Sequence, residues 1–146
     1  MAEAVALARQ KGLEAICADI YQWEPDEPWQ VIYIDGVLGH LYDPEVGLVP
    51  VMERIRSWLV PRADSVSGVA TLIASNDAPN NGADVQKAPG VNGFYWLSAE
   101  YLRDQALEAD FTEAVTDDFR YQRPISGERV RAIMSGCVDR SPQRGQ

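Results

Sequence analysis

Two cysteines and a single histidine are all the thiol and imidazole ligands in the 146-residue chain. Cys17 and Cys137 make neither a disulfide framework nor, with His40, a four-ligand zinc cluster, and both read as inert thiols. No metal site is expected. Paired glycines are lacking too: of eleven glycines no two stand two positions apart, so no GxG turn exists anywhere in the chain. A phosphate-cradling loop of the flavodoxin-like or dinucleotide-binding kind is therefore not visible. Long apolar runs are missing as well. Nothing approaches the roughly 20 consecutive apolar residues of a membrane span, and the opening "MAEAVALARQKG" lacks the charged start and cleavage pattern of a secretory signal. The expectation is a soluble, cytoplasmic protein with no membrane partner.

Basic charge is in short supply. Thirteen Lys and Arg against 22 Asp and Glu give a net charge of -9, which argues against nucleic acid or an anionic surface as partner. The imbalance is uneven: residues 1–119 carry 7 basic and 20 acidic groups, residues 120–146 carry 6 and 2. The arginine-rich end reads as a solvated strand and tail that pairs with the acidic body. A 46% hydrophobic content is enough for one ordinary core.

The periodicity then gives alternating elements. A helix is expected over Ala2–Lys11, stopped by Gly12, followed by a short strand over Leu13–Ala18. The proline-broken run "EPDEP" cannot continue that strand. Trp29–Ile34 reads as a strand without polar alternation, as in a parallel sheet covered on both faces. Leu48–Leu59 is an amphipathic helix, with Leu48, Val51, Met52, Ile55, Trp58 and Leu59 on one stripe and Pro61 as its stop. Val66–Ala74 is a further strand ending at Ser75-Asn76-Asp77. Residues 75–93, rich in Asn, Gly and Pro, read as a long surface loop. Ser98 is a helix N-cap with Leu97 and Leu102 as hydrophobic staple. Two closing strands are expected at Phe111–Thr116 and Arg129–Met134, with Phe119–Tyr121 continuing the first. This order implies an α/β layered sheet whose ligands gather at the carboxyl ends of the strands. Asp19, Asp35 and Asp77 sit at or beyond such ends, although Asp is also common there as a turn or cap residue.

The run from Ala2 to Ala74 resembles the middle and later part of a class I S-adenosylmethionine-dependent methyltransferase. The resemblance is carried by "AVALARQKG", "AICADI", "WQVIYIDGVLGHLYD" and "VMERIRSWLVPRADSVSGVATLIAS". The later "FYWLSAEYLRDQALEADF" and the final strand pair fit the same pattern. It implies a Rossmann-like methyltransferase sheet, mostly parallel with a C-terminal antiparallel hairpin, in a partial domain over residues 1–136 with a flexible tail over 137–146. It further implies S-adenosylmethionine as cofactor, with Asp19 and Ile20 beside the adenine and Asp35, Gly36 and Val37 beside the methionine part and the reactive methyl. A small-molecule acceptor would lie near Asn76, Tyr95 and Trp96, with His40 or Tyr42 as base if the acceptor carries a departing proton. His40 equally fits a helix-capping or packing role. The family's glycine-rich loop and the acidic residue that holds the ribose have no counterpart here. The first two strands of the sheet are thus lacking, and the reading is a truncated fragment completed by a missing N-terminal segment or a second chain. The alternative is a non-catalytic methyltransferase-like binding or regulatory domain without the cofactor loop.

Overall fold

The structure, a computed structural model, describes residues 2–139. Four strands form the main sheet: β1 (Val31–Asp35), β2 (Val69–Ala78), β5 (Glu113–Arg123) and β6 (Gly127–Asp139), in the order β1-β2-β6-β5. β3 (Val85–Lys87) and β4 (Tyr95–Leu97) make a separate antiparallel pair. The helices are α1 (Ala2–Gln10), α2 (Leu38–Leu41), α3 (Val49–Trp58) and α4 (Ala99–Glu108). None among the described residues is long and apolar enough to cross a membrane.

The sheet is mixed rather than mostly parallel. β1 and β2 run parallel, but β6 is antiparallel to both β2 and β5, so only one of the three ladders is parallel. The reason lies in residues 13–18. They were expected to add a further strand, yet they form none, and Leu13 and Ile16 are more than half exposed. A strand needs a partner ladder for its N–H and C=O groups. Among the described residues no strand pairs with this segment; Leu13 N–H donates to the Ala8 carbonyl and the Ala15 carbonyl accepts from Arg9, which ties it to α1 instead.

The rest of the core forms as its periodicity requires. α3 buries Val51, Met52, Ile55 and Trp58 in one core cluster with Leu72, Ala74 and Met134, which are fully buried. Each such Leu or Met contributes about 1.5–3 kcal/mol through removal from water. Pro50 is accommodated in the first turn of α3, where its missing N–H is not needed. The Ser98 hydroxyl accepts from Tyr101 N–H at 3.0 Å and caps α4.

Three further boundaries differ from the sequence reading. β2 continues through Ser75, Asn76 and Asp77 to Ala78 because β6 supplies a partner for each of them. β3 and β4 therefore interrupt or follow what reads as one loop. The two pieces expected after Phe111 are one continuous strand, β5, paired with β6 from Glu113 to Arg123. The tail expected from residue 137 overlaps β6 as far as Asp139; residues 140–146 lie outside the described residues.

Candidate functional site at the carboxyl ends of β1 and β2

β1 delivers Asp35 to the sheet rim, where its carboxylate accepts from the Ser75 hydroxyl at 2.6 Å and pairs with Arg131. Gly36 then turns the chain in the left-handed region, φ 68°, and donates its N–H to the Ser75 carbonyl at 2.8 Å. A side chain at that φ would be strained. Val37 follows, 41% exposed, and leads into the one-turn helix α2.

α2 is fastened to β4 by close contact. A Cβ on Gly39 would lie 2.3 Å from the Tyr95 carbonyl oxygen and 2.5 Å from the Phe94 ring, so only glycine fits. Gly39 N–H donates to Asn76 Oδ1 at 3.0 Å, while Asn76 Nδ2 donates to the carbonyls of Asp77 at 2.9 Å and Tyr95 at 3.1 Å. Asn76 is fully buried, and its amide thus ties β2, α2 and β4 together. This arrangement sets His40 against Phe94, ring centroids 4.5 Å apart, and Tyr42 against Tyr95 at 4.7 Å. His40 is exposed and Tyr42 half-buried. Tyr101 stands edge-on to Tyr42 at 6.1 Å. Burial, aided by Tyr42 and the acidic Asp84 and Glu108, pushes its phenol up to about 12.

Beside this aromatic wall lies a charged knot that the sequence does not single out. Buried Asp77 accepts from the Tyr121 hydroxyl at 2.7 Å, from Arg129 at 3.1 Å and from Arg131 at 3.0 Å. Removal from water lowers the Arg131 pKa and, together with Asp77, raises that of Tyr121. The Arg129 guanidinium lies 4.8 Å over the ring of Trp96, which is itself 7% exposed. The expectation that the arginine-rich end pairs with the acidic body holds at Asp77 and Asp35. The particular partners were hidden because they depend on the β2–β6 register.

The sequence candidates therefore fall into two groups. Asp35, Gly36, Val37, His40, Tyr42, Asn76, Tyr95 and Trp96 occupy neighbouring parts of one rim. Asp19 and Ile20 belong to a separate turn: the Asp19 side chain accepts from Tyr21 N–H at 2.8 Å, and the Ile20 carbonyl accepts from Arg54 at 2.6 Å. That turn, strapped to α3, borders a hollow of about 580 Å³ walled by Ile20, Trp23, Trp29 and Trp58. The hollow is larger than the 290 Å³ cleft at Asp35, Ser75 and Arg131. The smaller cleft is the better candidate, because its polar groups converge from three strands, whereas the larger one is walled, apart from Trp58, by residues 14–29 outside the named helices and strands.

Comparison with known proteins gives a fold and a relative. Over 94% of the chain, and 57% of the other, the structure matches that of Burkholderia thailandensis 1,6-didemethyltoxoflavin-N1-methyltransferase with bound 1,6-didemethyltoxoflavin and S-adenosylhomocysteine, at a TM-score of 0.66 and 16% identity. The chain shares its fold with a little over half of that protein. In sequence the chain is 40% identical over 139 residues to a tabtoxin biosynthesis enzyme of Pseudomonas amygdali pv. tabaci, covering 93% of this chain and 53% of that protein. The chain thus spans about half the length of the curated relative it matches. No protein-family model matches it.

Proposed function

We propose that the chain is the later part of an S-adenosylmethionine-dependent enzyme that methylates a small-molecule acceptor. The observation that carries this reading is the rim where Asp35, Gly36 and Val37 meet the aromatic wall of His40, Tyr42, Phe94 and Tyr95, all braced by Asn76. Part of the cofactor finds fitting groups here. Gly36 leaves the backbone open to close approach, and Val37 offers an exposed apolar side chain beside the Asp35 carboxylate. The exposed Asp19 carboxylate accepts one hydrogen bond among the described residues, from Tyr21 N–H, which leaves carboxylate oxygen for an adenine amino group, with Ile20 to cover the ring. The groups that would hold the amino-acid end and the ribose are not in this chain, in keeping with the lack of any GxG and of the family's first two strands.

Bound S-adenosylmethionine supplies a methyl group on a sulfonium centre. What falls to the protein is positioning of the acceptor and exclusion of water. The aromatic wall presents flat apolar surface for a ring-shaped acceptor, with Tyr95 holding it, Asn76 fixing the Tyr95 backbone, and Trp96 buried behind it under Arg129. His40, exposed on α2, accepts the acceptor's proton as methyl is gained, with the Tyr42 hydroxyl as the other group within the same rim. Removing the base by His40→Ala is expected to lower kcat about 10²-fold or more in the full-length enzyme. A KM change alone would assign His40 to packing.

The reading is tested by calorimetry with S-adenosylhomocysteine. Residues 1–146 alone should bind weakly or not at all, and the same chain with upstream residues restored should bind clearly; equal behaviour of the two counts against it. The second reading, a non-catalytic methyltransferase-like binding or regulatory domain, draws on Asp35 being already engaged by Arg131 and Ser75. It predicts no binding in either form.

A further inference from the structure

β5 ends the main sheet on the side away from β1, and among the described residues no strand lies beyond it. It is long for an edge, Glu113–Arg123, and little of it is covered: Val115 is 59% exposed and Phe119 48%, and Asp117, Asp118 and Arg120 are exposed as well. An unpaired edge of this length offers its N–H and C=O groups to a further strand unless something blunts it.

The hydrogen-bond pattern shows which groups face out. In β2, Thr71 N–H donates to the Gln30 carbonyl and the Ser75 carbonyl accepts from Gly36 N–H, so the odd-numbered residues turn to β1 and the even-numbered ones to β6. Carried through the pairs Ala74 with Met134 and Arg131 with Phe119, this alternation turns the backbone groups of Asp117, Phe119 and Tyr121 toward β6. Those of Thr116, Asp118, Arg120 and Gln122 are left pointing outward.

Charge then selects what can pair there. A copy of β5 laid antiparallel about a two-fold axis at Phe119 sets Phe119 against itself, Asp118 against Arg120 on both sides of the axis, and Asp117 against Tyr121. The outward-facing pairs next to the axis are thus the ones that join opposite charges. An axis at Asp118 or at Arg120 would instead face that residue with its own like charge, which destabilises a strand pair. Two adjacent acids would ordinarily blunt an edge; Arg120, two residues on, makes this one complementary to itself. The pairing of Arg120 with Glu128 within the chain is exposed on both sides and holds it only weakly.

We infer that β5 is a self-association edge: two copies of the chain pair antiparallel through β5, centred on Phe119, and join their four-stranded sheets into one. The two Phe119 side chains meet in a non-hydrogen-bonded pair, where side chains approach most closely. Phe119 also lines the cleft at Asp35, Ser75 and Arg131. A two-fold axis normal to the sheet keeps the same face of both copies on one side, so Phe119 of the second copy extends the apolar side of that cleft. The inference rests neither on methyl transfer nor on what precedes residue 1, since β1 and β5 lie at opposite edges.

Sedimentation equilibrium of residues 1–146 should show a reversible monomer–dimer equilibrium. Asp118→Arg and Arg120→Asp, each alone, place like charges opposite one another and should weaken the dimer about tenfold or more. Mixed in equal amounts, the two variants should form a heterodimer as strong as the native dimer, because every contact between positions 118 and 120 is then again of opposite sign. A variant that had merely failed to fold would not be rescued in this way. A chain that stays monomeric, a dimer indifferent to both substitutions, or variants that do not associate when mixed would each overturn the inference. S-adenosylhomocysteine enters none of these readouts, so failure of the methyl-transfer reading leaves a separate trace.

Discussion

Residues 13–18 and residues 31–35 have much the same apolar character, yet one segment is exposed coil and the other a strand. The second has β2 beside it; the first has no ladder to join. Strand formation here is a property of the pair and not of the segment. The same contrast extends outward: residues 2–30 contribute no fully buried side chain, while residues 31–139 hold the whole core.

That contrast can be sharpened by substitution. The largest effect is expected in the paired region: Leu72→Ala, at a fully buried position in β2, should cost about 2–5 kcal/mol in denaturant unfolding. Asn76→Ala removes the amide that serves Gly39, Asp77 and Tyr95, and should cost about 1–3 kcal/mol by leaving buried peptide groups unpaired. Tyr101 gives a pH signature. Because burial raises its folded pKa to about 12 from the ordinary phenol value of 10.0, its contribution is fully present below pH 10 and lost as pH rises from 10 to 12. A melting temperature that falls in that window in the native chain, and less in Tyr101→Phe, checks it. The smallest effect is expected in the unpaired region, where Ile16→Ala should stay within about 0.5 kcal/mol. A cost at Ile16 comparable to that at Leu72 would break the comparison.

The elements legible in the sequence were those with local causes. The α3 stripe, the Ser98 cap, the helix before Gly12 and the closing hairpin all follow from spacing and capping chemistry within a few residues. β1 was legible as a strand, but its continuous apolar run was read as burial on both faces, and Val31 and Tyr33 are exposed. The parallel-to-antiparallel balance was not legible, because it depends on β6 inserting between β2 and β5, far apart in sequence. At the rim, Asp35, Gly36, His40 and Tyr42 were found together because they lie within one short stretch. Asp77 was seen only as a strand-end acid, since Tyr121, Arg129 and Arg131 reach it across the sheet. Asn76 was read as an acceptor contact, and its geometry is that of a brace behind the wall.

The Asn76 brace also limits how the rim can adapt. One amide grips three separate peptide groups, and Gly39 is wedged against the Tyr95 carbonyl with no slack for a methyl group. Stacked rings and strand end must shift as one rigid jaw. A differently sized guest is then accommodated by trading side chains on that jaw, not by opening it.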